Sequence, residues 1–294
     1  MKVIDQAERL RELAAEKRRD SVEIITVTSG KGGVGKTNIS VNLGIALALS
    51  GRRVLILDAD LGLSNVNIIA GLVPPPKYNL FHVIKGEKTL EEVVAEGPCG
   101  IKIITGAIGI NTLANLAPKK REELIISLSA IKHIADLVII DTSAGLSGKV
   151  LSFVFAANKV LLVTTPEPTA ITDAYGIIKA VSFRTKDLNI NLIVNRARSV
   201  EEGERVANRI ADIAGQFLGM KIDKLGTILD DSCVGEAVRE QKPFFISYPR
   251  AKATKCIYHL RNVLENIPEE PQGINEFIKR LFHFNGDHLE FAEE

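Results

Sequence analysis

Short apolar runs recur along the chain, separated by longer segments in which apolar positions return every three to four residues. The runs Glu23–Thr28, Arg53–Asp58, Lys102–Thr105, Leu137–Asp141, Lys159–Thr164, Asn191–Asn195 and Lys224–Ile228 are rich in Val and Ile and nearly continuous in apolarity. That is the pattern of strands covered on both faces. Between them, Lys36–Ser50, Pro118–Ile134, Thr169–Phe183 and Glu201–Leu218 carry helical spacing. Such alternation predicts βαβ units: an α/β fold with a mostly parallel, doubly wound sheet and helices on both faces. Ligands of these folds bind beyond the carboxyl ends of the strands. The segments that follow the strands are therefore where chemistry is sought.

Three zones are expected. Residues 1–20 form a polar arm with helical spacing, residues 21–267 form the body, and residues 268–294 begin with the linker-like Pro268-Glu269-Glu270-Pro271-Gln272-Gly273. An amphipathic stretch follows, with Ile274, Phe277, Ile278, Leu281 and Phe282 on one helical face and Lys279, Arg280 and His283 off it. Bulky apolar residues opposite basic ones suit a helix lying in a lipid headgroup layer; packing on the body is the competing reading. The tail Glu290–Glu294 is acidic, which works against a simple basic anchor.

Composition narrows the picture. The 294 residues are 46% hydrophobic and 25% charged, ordinary for a globular protein. A formal charge of +1 gives no global field that favours nucleic acid. The three cysteines, Cys99, Cys233 and Cys256, are scattered without a CxxC, which argues against disulfides and metal–sulfur sites and for a reducing, cytoplasmic compartment. Met1–Asp20 is charged throughout, unlike a secretory signal, and no apolar run reaches the length of a membrane span.

The strongest motif follows the first strand. Gly30-Lys31-Gly32-Gly33-Val34-Gly35-Lys36-Thr37 matches GxxxxGK[ST], with a strand before and a helix after. Glycines let successive N–H groups turn inward on phosphate oxygens, and the helix that follows adds the positive end of its dipole. Lys36 is placed to bridge the β- and γ-phosphates and Thr37 to ligate Mg²⁺. Asn38, next on the helix, is counted with the nucleotide-binding residues. A second strand ends in Asp58 and Asp60, two residues apart and so on one face of an extended chain. A third, Leu137–Ile140, ends in Asp141 and runs on into Thr142-Ser143-Ala144-Gly145. A later strand ends Asn195-Arg196-Ala197-Arg198. The Asn195 amide can pair with a purine edge, and Arg196 can cover the base. GTPases carry an Asp where Arg198 stands; an arginine cannot accept guanine N–H groups, so ATP is expected over GTP.

The loop with Lys31 resembles the deviant Walker A of the MinD/ParA family, whose extra lysine reaches the nucleotide of a partner subunit. The resemblance implies catalytic roles for Lys31, Lys36 and Asp60, with Asp60 holding the attacking water, and metal roles for Thr37, Asp58 and Asp141. It also implies a homodimer in the ATP state, and it marks Glu167 and Asp173 as interface residues. The terminal helix resembles the membrane-targeting helix of MinD, which implies anionic lipids as partners and a peripheral place on the inner face of the cell membrane. Ahead of this body, Asp5-Gln6-Ala7-Glu8-Arg9-Leu10-Arg11 resembles the activator helix of the FlhG (FleN/YlxH) family. That implies Asp5, Gln6, Leu10 and Arg11 as contacts that stimulate an FlhF-like GTPase. Control of flagellar number and placement, with flagellar switch-complex proteins as further partners, follows from the same resemblance. A MinD-type division regulator shares body and terminal helix but gives no reason for the arm. A ParA-type DNA-partition ATPase needs a basic surface that the charge does not provide.

Overall fold

The computed structural model of the chain describes residues 22–60, 65–106, 118–267 and 273–283, with the backbone alone at 118–122 and 283. The arm expected over residues 1–20, with Asp5, Gln6, Leu10 and Arg11, lies outside these residues, as do Leu61–Ser64 and the acidic tail.

β1 (Glu23–Thr28) leads through the glycine loop into α1 (Lys36–Leu49), then β2 (Val54–Ala59). Short helices α2 (Asn65–Ala70), α3 (Leu80–Ile84) and α4 (Leu90–Val93) precede β3 (Ala95–Glu96) and β4 (Lys102–Ile104). Next come α5 (Pro118–Ser129), α6 (Ile131–Ile134), β5 (Leu137–Thr142), α7 (Gly148–Ala156) and β6 (Lys159–Thr164). The second half runs α8 (Pro168–Ser182), β7 (Ile190–Ala197), α9 (Val200–Ile213), a π-turn and β8 (Ile222–Leu229). α10 (Ser232–Arg239), α11 (Phe244–Ser247), α12 (Lys252–Glu265) and α13 (Gly273–His283) complete the chain.

The strands form one sheet in the order β3-β4-β2-β5-β1-β6-β7-β8. Among the described residues, only the two-residue β3 runs antiparallel, against β4. Every residue of β2, β5 and β6 is buried, so each strand feeds two cores with alternate side chains. Ile25, Val27, Ile56 and Ile139 point into the core under α1 and α12. Ile24, Leu55, Val138 and Ile140 point the other way, toward α5, α7 and α13. β1 lies between β5 and β6, with the later strands continuing outward on one side and β2 and β4 on the other, so the order of strands reverses at β1. A crevice opens at the carboxyl end of such a strand.

α13 departs from the expectation for its apolar face. Ile274, Phe277, Ile278, Leu281 and Phe282 are 1–8% exposed. They pack in one cluster with Ile24, Leu55, Val138, Ile140 and Phe153, leaving an apolar cavity of only about 20 Å³ beneath the helix. As folded, none of the five is open to lipid. The reason is that β1, β2 and β5 present a strip of Ile, Leu and Val on this side, and without α13 that strip would face water. Lys279 and Asn275 lie on the exposed side and Arg280 pairs with Glu276 at 3.3 Å. Among the described residues, no helix is long and apolar enough to cross a membrane.

Candidate nucleotide and magnesium site

The loop between β1 and α1 curls because Gly33 (φ 78°) and Gly35 (φ 97°) adopt left-handed backbone conformations. No side chain caps the N-terminus of α1. Its first N–H groups therefore point out of the helix end in the arrangement that binds anions. Two contacts clamp the loop. Asn195 at the end of β7 donates from Nδ2 to the Val34 carbonyl at 2.7 Å. A side chain at Gly35 would collide with this amide, and one at Gly30 with the Asp173 backbone in α8. Gly145, following β5, donates its N–H to the Ser29 carbonyl at 2.9 Å. The loop is thus tied to the ends of β7 and β5 and lies close against α8.

The acidic residues meet beside the loop. Asp58 and Asp141 are register partners on adjacent β2 and β5, and each is 1% exposed. Asp141 receives a hydrogen bond from Ser40 at 2.8 Å, and the Thr37 side chain lies near enough to favour its charged form. Burial pushes the Asp141 carboxyl up to about 6. Asp58 accepts the Asp60 N–H at 3.0 Å and is pushed up to about 7, chiefly by burial, with Asp141 and Asp60 adding repulsion. Its Oδ2 is buried and has no hydrogen-bond partner. Burial lowers the Lys36 ammonium, against the pull of Asp141 and Asp60. Crowded, protonation-prone carboxylates, an orphaned carboxylate oxygen and the Thr37 hydroxyl are a donor set suited to a hard oxygen-loving cation. The residues present therefore fit Mg²⁺.

Asp58 carries a measurable signature. Its folded pKa lies above that of an unfolded aspartate, so the folded state holds the extra proton between about pH 4 and pH 7. The nucleotide-free protein should lose stability from this group as pH rises through that window. Asp58→Asn should make the slope shallower, leaving the part due to Asp141, and raise thermal stability at pH 8, by an amount on the order of 2–4 kcal/mol. Melting curves of both proteins from pH 5 to pH 8 test this; parallel profiles would refute it.

Lys31 lies at the rim. Its ammonium pairs with Glu167 Oε2 at 2.8 Å and contacts Thr169 Oγ1 at 2.7 Å, and this contact holds the Glu167 carboxyl below its usual range. On the other side of Asn195, Arg196 stands in a left-handed conformation (φ 58°) and approaches Asp230 at 3.7 Å. Asn195 spends its carbonyl oxygen on the Arg196 N–H at 2.9 Å. One amide hydrogen remains to it after the Val34 bond, so the part left for a base is narrower than the sequence suggested. The Gly30–Thr37 loop, Asp58, Asp60, Asp141 and Asn195 come together at this crevice, and Arg196 follows Asn195 with its side chain toward Asp230. Reading the sequence missed Ser40, Thr169 and Asp230; only Ser40 left a trace, one helical turn beyond Thr37.

A family model described as an AAA domain matches residues 22–194. The antiactivator FleN of Pseudomonas aeruginosa is 40% identical over 88% of this chain and 93% of its own length. The chain belongs to the FleN/YlxH group of MinD-like ATPases. The flagellum site-determining protein YlxH of Helicobacter pylori is 32% identical over 91% of this chain and 92% of its own. Among solved structures, MinD of Pyrococcus horikoshii in complex with Mg-ADP superimposes with a TM-score of 0.66 at 28% identity, covering 83% of this chain and 96% of that one. Like other MinD-like ATPases, the chain is an ATP-hydrolysing P-loop enzyme that takes nucleotide and Mg²⁺.

Proposed function

We propose that this MinD-like ATPase is a nucleotide-driven, membrane-associating dimer that regulates flagellar number and placement. The names of its relatives FleN and YlxH support the flagellar setting. The observation that carries the switch is α13, an amphipathic helix whose entire apolar face is stored against the body. Exchange of that face between the sheet and a bilayer gives two states with one helix.

Within the site, Lys36 bridges the β- and γ-phosphates while the loop N–H groups cradle them. Thr37 and Asp141 would hold Mg²⁺, with Asp58 behind them, and the ion would supply charge neutralisation at the phosphates; Asp60 would orient the attacking water. Arg196 and Asn195 face the adenine. Lys31 leaves Glu167 and Thr169 when a second subunit brings its own phosphates within reach, so nucleotide and dimerisation compete with one ion pair. That pair is exposed to water and therefore weak, which makes it an easily opened latch. One terminal helix binds lipid weakly; two in a dimer act together and gate attachment by ATP. The arm, through Gln6 with Asp5, Leu10 and Arg11, stimulates an FlhF-like GTPase, and flagellar switch-complex proteins are further partners.

Co-sedimentation with anionic vesicles tests the switch. The full chain should pellet with the vesicles in a slowly hydrolysed ATP analogue and not in ADP, while a chain ending at residue 273, whose uncovered strip calls for a control spun without vesicles, should gain no pelleting from vesicles in either state. Equal sedimentation in both nucleotide states, or none in either, would sink the membrane reading. Failure to stimulate a cognate FlhF-like GTPase would remove the arm's role alone.

A further inference from the structure

Thr37 and Ser40 lie one turn apart on α1, so both hydroxyls occupy the same face of one rigid helix. Both face the same carboxylate: Ser40 Oγ donates to Asp141 Oδ1 at 2.8 Å, and the Thr37 side chain lies near enough to favour the charged form of Asp141. Ser40 is wholly buried and Asp141 is 1% exposed, so water competes for neither. Ser40 Oγ also lies 3.1 Å from the Lys36 carbonyl, the local bond that helical serines often make. A hydroxyl has one proton. The shorter contact, to an ionised oxygen, is the stronger acceptor, so the proton belongs to Asp141 whenever that group is charged.

We infer that Ser40 is a positioning residue for the magnesium site: it fixes the Asp141 carboxylate beside Thr37 and thereby sets metal affinity without touching the metal. This rests on the reading of Thr37 and Asp141 as metal-holding residues. The physical argument is a difference of two jobs. If Thr37 turns an oxygen lone pair to the cation, its hold on Asp141 becomes constrained by the metal. Ser40 carries no such duty and keeps the carboxylate from rotating away in a pocket where Asp58 repels it.

The experiment separates metal from nucleotide. Fluorescent ATP-analogue binding is measured for the full chain and for Ser40→Ala, with excess EDTA and then across a Mg²⁺ titration; Mn²⁺ binding is followed by EPR in parallel. Ser40→Ala should bind nucleotide in EDTA as the parent does, yet need about ten-fold more Mg²⁺ for half-effect, the loss expected when a bond to a charged group is removed. Mn²⁺ affinity should fall by the same factor. Ser40→Cys keeps the volume with a weaker donor and should lie between the two, and it serves as the probe if the alanine variant fails to fold. An unchanged Mg²⁺ requirement overturns the role of Ser40. A parallel fall of binding in EDTA overturns it too, since that would mark a hydroxyl that merely shapes α1. A parent chain indifferent to Mg²⁺ would overturn the metal site itself, and this inference with it.

Discussion

Replacing Asp60 by alanine is expected to lower ATP turnover by about 10²–10⁴-fold while nucleotide binding stays near that of the parent, the range for loss of a positioned proton acceptor. Asp60 is the first residue beyond β2, and its N–H is fixed on the buried Asp58 carboxylate. That bond sets where the chain leaves the sheet and so where the Asp60 side chain points. Its charge reaches Lys36, Asp58 and Asp141, which puts it among the phosphate and metal groups rather than on a remote turn. Binding should survive because the glycine loop, Lys36 and Thr37 are untouched. With hydrolysis blocked, ATP should hold the dimer closed. Turnover under saturating Mg-ATP, with light scattering of the same sample, checks both halves. Parent-like turnover would refute the assignment; a stable ATP-bound monomer would refute dimer trapping.

Much of this was legible in the chain. β1 and β6 have the bounds that the apolar runs gave, because in each a nearly continuous apolar stretch covered on both faces is framed by one polar residue at either end, Glu23 and Thr28 in β1 and Lys159 and Thr164 in β6. The phosphate loop was legible for a chemical reason: its glycines answer to backbone angles that other residues adopt at a cost. Other features were not. β3 spans two residues and no periodicity can show in so few. The run Pro118–Ile134 reads as one helix but divides into α5 and α6. Residues 253, 257, 260 and 264 of α12 are buried at helical spacing, a pattern present in the sequence but overshadowed by the strand signals before it. Ser40 with Asp141 and Lys31 with Thr169 are long-range contacts, which spacing along the chain does not encode. α13 illustrates the deepest ambiguity. An amphipathic stripe states that a face must be buried, and the same five residues satisfy a sheet or a bilayer equally well.

Two substitutions across the α13 contact should therefore move membrane binding in opposite directions. Phe153 of α7 and Phe277 of α13 line the same apolar cavity, each almost fully buried. Truncating a buried Phe to Ala costs about 3–5 kcal/mol where the site cannot collapse. Here α13 can leave instead, so much of the cost should appear as a released helix rather than as global unfolding. Phe153→Ala weakens the dock and leaves the helix intact; the full chain should then bind anionic vesicles in ADP, where the parent should stay unbound. Phe277→Ala loosens the dock too, but it removes the bulkiest class of side chain that the helix offers to lipid, so vesicle binding should fall even with the ATP analogue. Hydrogen exchange should show α13 losing protection in both variants. A helix that serves only as structure predicts something different: both variants lose stability and neither gains affinity for vesicles. The sign of the Phe153→Ala effect decides between a stored anchor and a permanent piece of the core.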